Sequence, residues 1–122
     1  MIDSAGIRED VVAIRELAPL VHNVTNFVVM DFTANALLSL GASPVMAHAP
    51  QEIEAMVSLA GAVVLNMGTL DADWIARLSG ALEAARDQGK PVVFDPVGAG
   101  ATAYRTDRKS TRLNSSHVSI SY

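Results

Sequence analysis

Residues 62–95 read AVVLNMGTLDADWIARLSGALEAARDQGKPVVFD. The stretch opens on an apolar run, Ala62 to Met67, too short for a helix of ordinary length and rich in valine. A longer periodic segment follows, Asp71 to Gln88, in which Trp74, Ile75, Leu78, Leu82 and Ala85 fall on one helical face. Asp71 and Asp73 sit at its start, where the helix dipole favours negative charge, and Gly89 with Pro91 beyond closes it. A second strand-length run, Pro91 to Asp95, completes a strand–helix–strand unit. Such a unit places its two strands parallel and its helix on one face of their sheet, through a right-handed crossover.

The same rhythm extends towards the N-terminus. Pro19 to Val24 and Ala42 to Ala47 are further strand-length runs. Phe32 to Leu40 closes at Gly41 and Gln51 to Leu59 closes at Gly61, as helices do. An opening amphipathic helix carries Ile7, Val11, Ile14 and Leu17 at helical spacing. Valine-rich runs without polar alternation predict strands covered on both faces. The expected fold is α/β: a layered sheet of mainly parallel strands with flanking helices, cut after about four strands.

Bulk properties narrow the partners. Half of the 122 residues are hydrophobic, enough for one domain with a real core. No apolar run approaches the roughly 20 residues that span a bilayer, and MIDSAGIRED is too polar for a secretory signal, so the expected location is cytoplasmic. With no cysteine, neither a disulfide framework nor a thiolate metal site is available. The first 107 residues hold 6 basic and 13 acidic side chains, net −7. That body offers no basic stripe for nucleic acid and points to a small-molecule partner.

The end of the chain breaks the pattern. RKSTRLNSSHVSISY, residues 108–122, has five serines in fifteen positions, gathers Arg108, Lys109 and Arg112, and holds no acid. Its one structural hint is the strand-like HVSIS. The string looks like a translated adapter or vector remnant, which divides the chain into 1–107, a native domain part, and 108–122, a non-native tail.

Ligands of open parallel sheets sit beyond the carboxyl ends of the strands. Four places follow from the runs: His22-Asn23-Val24-Thr25-Asn26, Val45-Met46-Ala47-His48, Asn66-Met67-Gly68-Thr69 and Asp95 to Thr102. Asp95 either faces Mg²⁺ or phosphate there, or caps the turn before Pro96. Gly98 and Gly100 either present backbone N–H groups to an anion or permit a tight turn. GAGATA also matches a dinucleotide fingerprint, but it follows the fourth run rather than the first and no acid for a ribose comes after it. His22 and His48 are too far apart for a helical metal pair, so both read as structural or surface histidines. Met46 alone reads as core filling.

Pro19 to Asn26, Thr33-Ala34-Asn35, Gly41 to Ala47, Leu65 to Leu70 and Pro91 to Thr102 with Arg105-Thr106, in this order, resemble hydroxyethylthiazole kinases, which are ribokinase-like enzymes. The resemblance covers about residues 5 to 107. It implies phosphorylation of 4-methyl-5-(2-hydroxyethyl)thiazole with ATP as co-substrate and Mg²⁺, in thiamine biosynthesis. It further implies that Met46 contacts the thiazole, that Asn26 and Val28 form other parts of the pocket, and that Asp95 lies on the magnesium and phosphate side, holding the metal through water. The family's nucleotide-contacting arginine and threonine, and the cysteine proposed to act on the substrate hydroxyl, belong to a later half not represented here, so no catalytic residue is assigned and Arg105 is not the nucleotide arginine. A homotrimer with sites between subunits is implied too. The alternatives are a related kinase acting on a hydroxymethylpyrimidine, which Met46 disfavours, and a non-catalytic thiazole-binding fragment.

Overall fold

The computed structural model describes residues 3–110 and 118–120, with side chains from Asp3 to Asp107. Five strands form one sheet: β1 (Leu20–Val24), β2 (Ser43–Val45), β3 (Ala62–Asn66), β4 (Val92–Asp95) and β5 (Val118–Ile120). They lie in the order β2-β1-β3-β4-β5, and every neighbouring pair is parallel. The helices are α1 (Ser4–Leu17), α2 (Met30–Leu40), α3 (Ile53–Leu59), α4 (Ala72–Asp87) and α5 (Ala103–Ser110), with a 3₁₀ turn at Phe27–Val29 before α2. The α/β expectation therefore holds.

From β1 the chain moves to one side to form β2 and then returns to form β3 on the other side, so β1 and β3 flank the point where the winding reverses. Right-handed crossovers place α2 on one face and α3 and α4 on the opposite one. In-register pairing aligns His22, Val63 and Val92 across the sheet, then Val24, Leu65 and Phe94. All six are buried. Ile53 and Val57 of α3, with Trp74, Leu78, Ala81, Leu82 and Ala85 of α4, complete the core. The face of α4 predicted from spacing is the face that packs, except that Ile75 stays half-buried.

The other sheet face differs from expectation. Ala62 and Val64 are only half-buried and Val93 is 38% exposed, so β3 and β4 are covered on one face rather than two. The reason is placement: α2 packs on β2 at the sheet edge and α1 packs on α2, leaving the middle strands open there. Neither α1 nor α2 buries a residue fully.

Two elements lie near the end of the chain. α5 runs through the expected junction at 107/108, and β5 adds a fifth strand within the stretch read as foreign. The segment 111–117 and the side chains of Arg108, Lys109 and Arg112 lie outside the described residues.

Helix ends follow their caps. Asp3 Oδ1 accepts from the Gly6 N–H at 2.6 Å and Asp71 Oδ1 from the Trp74 N–H at 2.7 Å. Gly41 ends α2 at φ 103°, and a β-carbon added there would stand 2.8 Å from Arg15 Cγ. Gly41→Ala is expected to destabilise by about 1–3 kcal/mol, because the left-handed conformation and the contact with α1 both oppose a side chain. A urea midpoint lowered at unchanged slope is the expected measurement; an unchanged midpoint would contradict it.

Candidate functional site

Three polar side chains meet where the central strands end. Asn66, the last residue of β3, is 6% exposed. Its Oδ1 accepts from Asn26 Nδ2 at 2.7 Å and from the Gly68 N–H at 2.8 Å, while its Nδ2 donates to Asp95 Oδ2 at 2.9 Å. Asn26 follows β1 and Asp95 closes β4, so the chain of hydrogen bonds crosses the carboxyl ends of three adjacent strands. Asn26 Oδ1 also accepts from the Val28 N–H at 3.0 Å, capping the 3₁₀ turn. Gly68 is required by this packing: a β-carbon there would run into the side-chain amides of Asn26 and Asn66.

Beside this chain lies a hollow of about 330 Å³, lined by Asn26, Phe27, Gly68, Thr69, Trp74 and Arg77 among others. Thr69 has φ 52°, a left-handed conformation uncommon for a residue other than glycine, and sits at the rim. A larger hollow, about 540 Å³, lies between α3 and α4 around Glu54, Asp73, Arg77 and Asp87. It is a groove between helix surfaces, and none of the strand-end residues lines it.

The four residues singled out from sequence all stand at the same end of the sheet. Met46 directly follows β2 and is half-buried; Asn26 is buried; Asp95 is half-buried. Val28 is 85% exposed. Only Asn26 of the four lines the smaller hollow. Asp95 accepts from Asn66, which distinguishes it from a carboxylate that only caps its own turn.

The glycine loop after Asp95 is a turn. Gly98 and Gly100 have φ of 74° and 91°. The Ala99 N–H donates to Pro96 O, the Ala101 N–H to Gly98 O and the Gly100 N–H to Thr106 Oγ1. Those three donors are turned inward, not towards an anion. Arg105 Nη1 donates to Met67 O and Val97 O, both at 2.8 Å, tying the loops after β3 and β4 together. Arg105 is thus a strut.

Both histidines of the first half are structural. His22 is fully buried, and its Nε2 meets Ala47 O at 2.8 Å, which makes Nε2 the protonated nitrogen and leaves Nδ1 without a partner. Burial pushes its pKa below the ordinary imidazole value, against the Ala47 bond and the Glu52 charge. His48 packs edge-on between Phe27 and Trp74, with ring centroids 5.8 and 5.1 Å away. Burial lowers its pKa too, against a hydrogen bond to the Asn23 main chain. Since the folded state takes up a proton less readily than the unfolded chain, stability is complete above about pH 6.5 and declines as pH falls below it towards the folded values. A urea midpoint falling from pH 7 to 5.5, with a flatter profile in His22→Gln, is expected. A flat wild-type profile would rule out buried neutral histidines.

Sequence reasoning placed Asn66 at a strand end but gave it no part in the candidate site. It also missed the role of Trp74, whose indole Nε1 donates to Asn66 O at 3.0 Å and so joins the core to the strand ends.

The model of the "Hydroxyethylthiazole kinase family" matches residues 11–121. A hydroxyethylthiazole kinase of Pyrococcus horikoshii is 60% identical over 107 residues, 88% of this chain and 40% of that protein. One from Syntrophus aciditrophicus is 62% identical over 94 residues, 77% of this chain and 35% of that protein. The solved structure of the hydroxyethylthiazole kinase protein from Pyrococcus horikoshii superposes with a TM-score of 0.81 at 60% identity, over 83% of this chain and 40% of that one. The chain thus spans about two fifths of the length of such relatives. With that match and the same arrangement of strands, the chain belongs to the hydroxyethylthiazole kinase family.

Proposed function

We propose that this chain supplies the alcohol-binding wall of a kinase that transfers the γ-phosphoryl group of ATP to the hydroxyl of 4-methyl-5-(2-hydroxyethyl)thiazole. The observation that carries the reading is the hydrogen-bonded chain Asn26–Asn66–Asp95 at the reversal of the sheet, in a member of this family. Met46, at the end of the neighbouring strand, offers a polarizable thioether suited to a sulfur-containing aromatic ring. Asn26 meets β3 on the other side of β1's end, and the Val28 N–H donates to it.

Asp95 is the residue that would hold Mg²⁺. No group of three or more metal-ligating His, Cys, Asp or Glu side chains exists among the described residues. One carboxylate suits a cation that keeps most of its water and takes other ligands from phosphates. When bound, Mg²⁺ neutralises charge on the transferring phosphoryl group. The chain's own residues orient the alcohol: Asn26 donates through Nδ2, and Asp95 accepts.

The reading includes a cytoplasmic location and a homotrimer with sites between subunits. No helix among the described residues is long and apolar enough to cross a membrane. Phe27, Val28 and Phe32, exposed by 73%, 85% and 78%, make an apolar patch beside Asn26 that a second copy would cover. Calorimetry with the thiazole alcohol and with a hydroxymethylpyrimidine tests substrate class. Preference for the thiazole is expected; preference for the pyrimidine would favour the related kinase instead.

A further inference from the structure

We propose that Asn66 is the positioning residue of this site, a role that rests on the functional reading above and adds a residue to it. Its amide can adopt only one orientation. Oδ1 faces two donors, Asn26 Nδ2 and the Gly68 N–H, and Nδ2 faces the Asp95 carboxylate. A flipped amide would set N–H against N–H on one side and oxygen against carboxylate on the other. The main chain of Asn66 is fixed as well, by the bond from Trp74 Nε1.

That orientation propagates to both neighbours. Asn26 uses Oδ1 for the Val28 N–H and one Nδ2 hydrogen for Asn66, so what it offers a ligand is the remaining N–H. Asp95 is anchored through Oδ2, and its Oδ1 is the oxygen it can turn to a ligand. One flank therefore presents a donor and the other an acceptor. A hydroxyl suits such a site, since its oxygen can accept from Asn26 and its hydrogen can be donated towards Asp95 or towards water around a cation that Asp95 holds; a carboxylate alone would oppose Asp95. Asn66 touches no reacting atom in this scheme and acts through the two residues that do.

The test uses the isotopically labelled chain by NMR, with calorimetry against the thiazole alcohol. Asn66→Asp keeps an acceptor for Asn26 and Gly68 but replaces the fixed amide donor to Asp95 by a carboxyl group that must share a proton with it. The Asn26 side-chain amide signals are expected to hold their position while the Asp95 carboxyl carbon signal moves. In Asn66→Ala both are expected to move. The affinity should fall about tenfold in Asn66→Ala and in Asn26→Ala, and the double variant should bind no worse than the weaker single, the signature of one residue acting through another. Signals of Asn26 and Asp95 that stay in place in Asn66→Ala would overturn the proposal, as would losses that multiply in the double variant. If Asn66→Ala does not fold, Asn66→Asp decides alone, since an unmoved Asp95 signal there overturns it. A wild-type chain that binds no thiazole alcohol, with the signals moving as stated, overturns the functional reading and upholds the role of Asn66.

Discussion

Incubated with ATP, Mg²⁺ and the thiazole alcohol, the 122-residue polypeptide alone is expected to form no thiazole phosphate above a control without protein. Phosphoryl transfer depends on holding the nucleotide in line with the attacking hydroxyl and on meeting the developing charge with preformed donors. Among the described residues at the strand ends, several candidate donors already have partners. Three N–H groups of the glycine loop point into the turn or to Thr106, and Arg105 Nη1 is held by two carbonyls. Asp95 adds an acceptor, and Asn26 one further N–H. Removal of a single preorganised donor costs other enzymes about 100-fold to 1,000-fold, and several are wanting here together. The resemblance assigns those donors to a part of the family beyond the two fifths that this chain spans. Turnover that follows the chain through purification and vanishes in Asp95→Ala would show that the described strand ends suffice. Its absence, with thiazole binding retained, is what a non-catalytic wall predicts.

Much of this architecture is written locally in the chain, and the exceptions share a cause. Four strands and three connecting helices were legible because valine-rich runs alternate with segments that glycines close, and α4 in addition carries its apolar face at helical spacing. The 3₁₀ turn and first residues of α2 were not, since Phe27-Val28-Val29 is apolar throughout and only the cap on Asn26 Oδ1 marks where the turn begins. α5 is masked by the glycines that precede it; its local signal is Thr102, whose Oγ1 accepts from the Arg105 N–H as an N-cap does. The open face of β3 and β4 has the same root. A valine-rich run says that a strand is buried somewhere, and it does not say whether a helix arrives on each side.

The site was legible only in its location. That ligands bind at strand ends follows from topology, and the topology followed from the rhythm. Asn23, Asn26 and Asn66 look alike as isolated polar residues after apolar runs. Nothing local shows that Asn26 will meet a partner 40 residues away, or that Asn23 will turn its amide back to Val21 O and Val45 O instead. Strand order and register decide it, and these are tertiary facts.

Trp74→Ala is expected to cost about 3–5 kcal/mol, a large share of the stability of a domain whose total is of order 5–15 kcal/mol, and to disturb the strand ends as well. The side chain is 8% exposed and belongs to the core formed by β1, β3, β4, α3 and α4. Truncation leaves a cavity against the sheet that a parallel, in-register face cannot easily close. It also removes one of the two edge-on partners of His48 and leaves the buried Asn66 carbonyl without its indole donor. Trp74→Phe separates the two effects, because it restores most of the apolar volume but not the N–H. Its expected cost is roughly 1–3 kcal/mol, through the unsatisfied carbonyl and the smaller ring. Urea unfolding followed by circular dichroism measures both, since the chain has one tryptophan and its fluorescence is lost with the substitution. The Asn26 amide signals should shift in both variants if the indole bond holds Asn66 in place. A Trp74→Ala chain within 1 kcal/mol of the parent would mean that α4 does not pack on this face of the sheet. A Trp74→Phe chain with unmoved Asn26 signals would leave the packing intact and detach the core from the site.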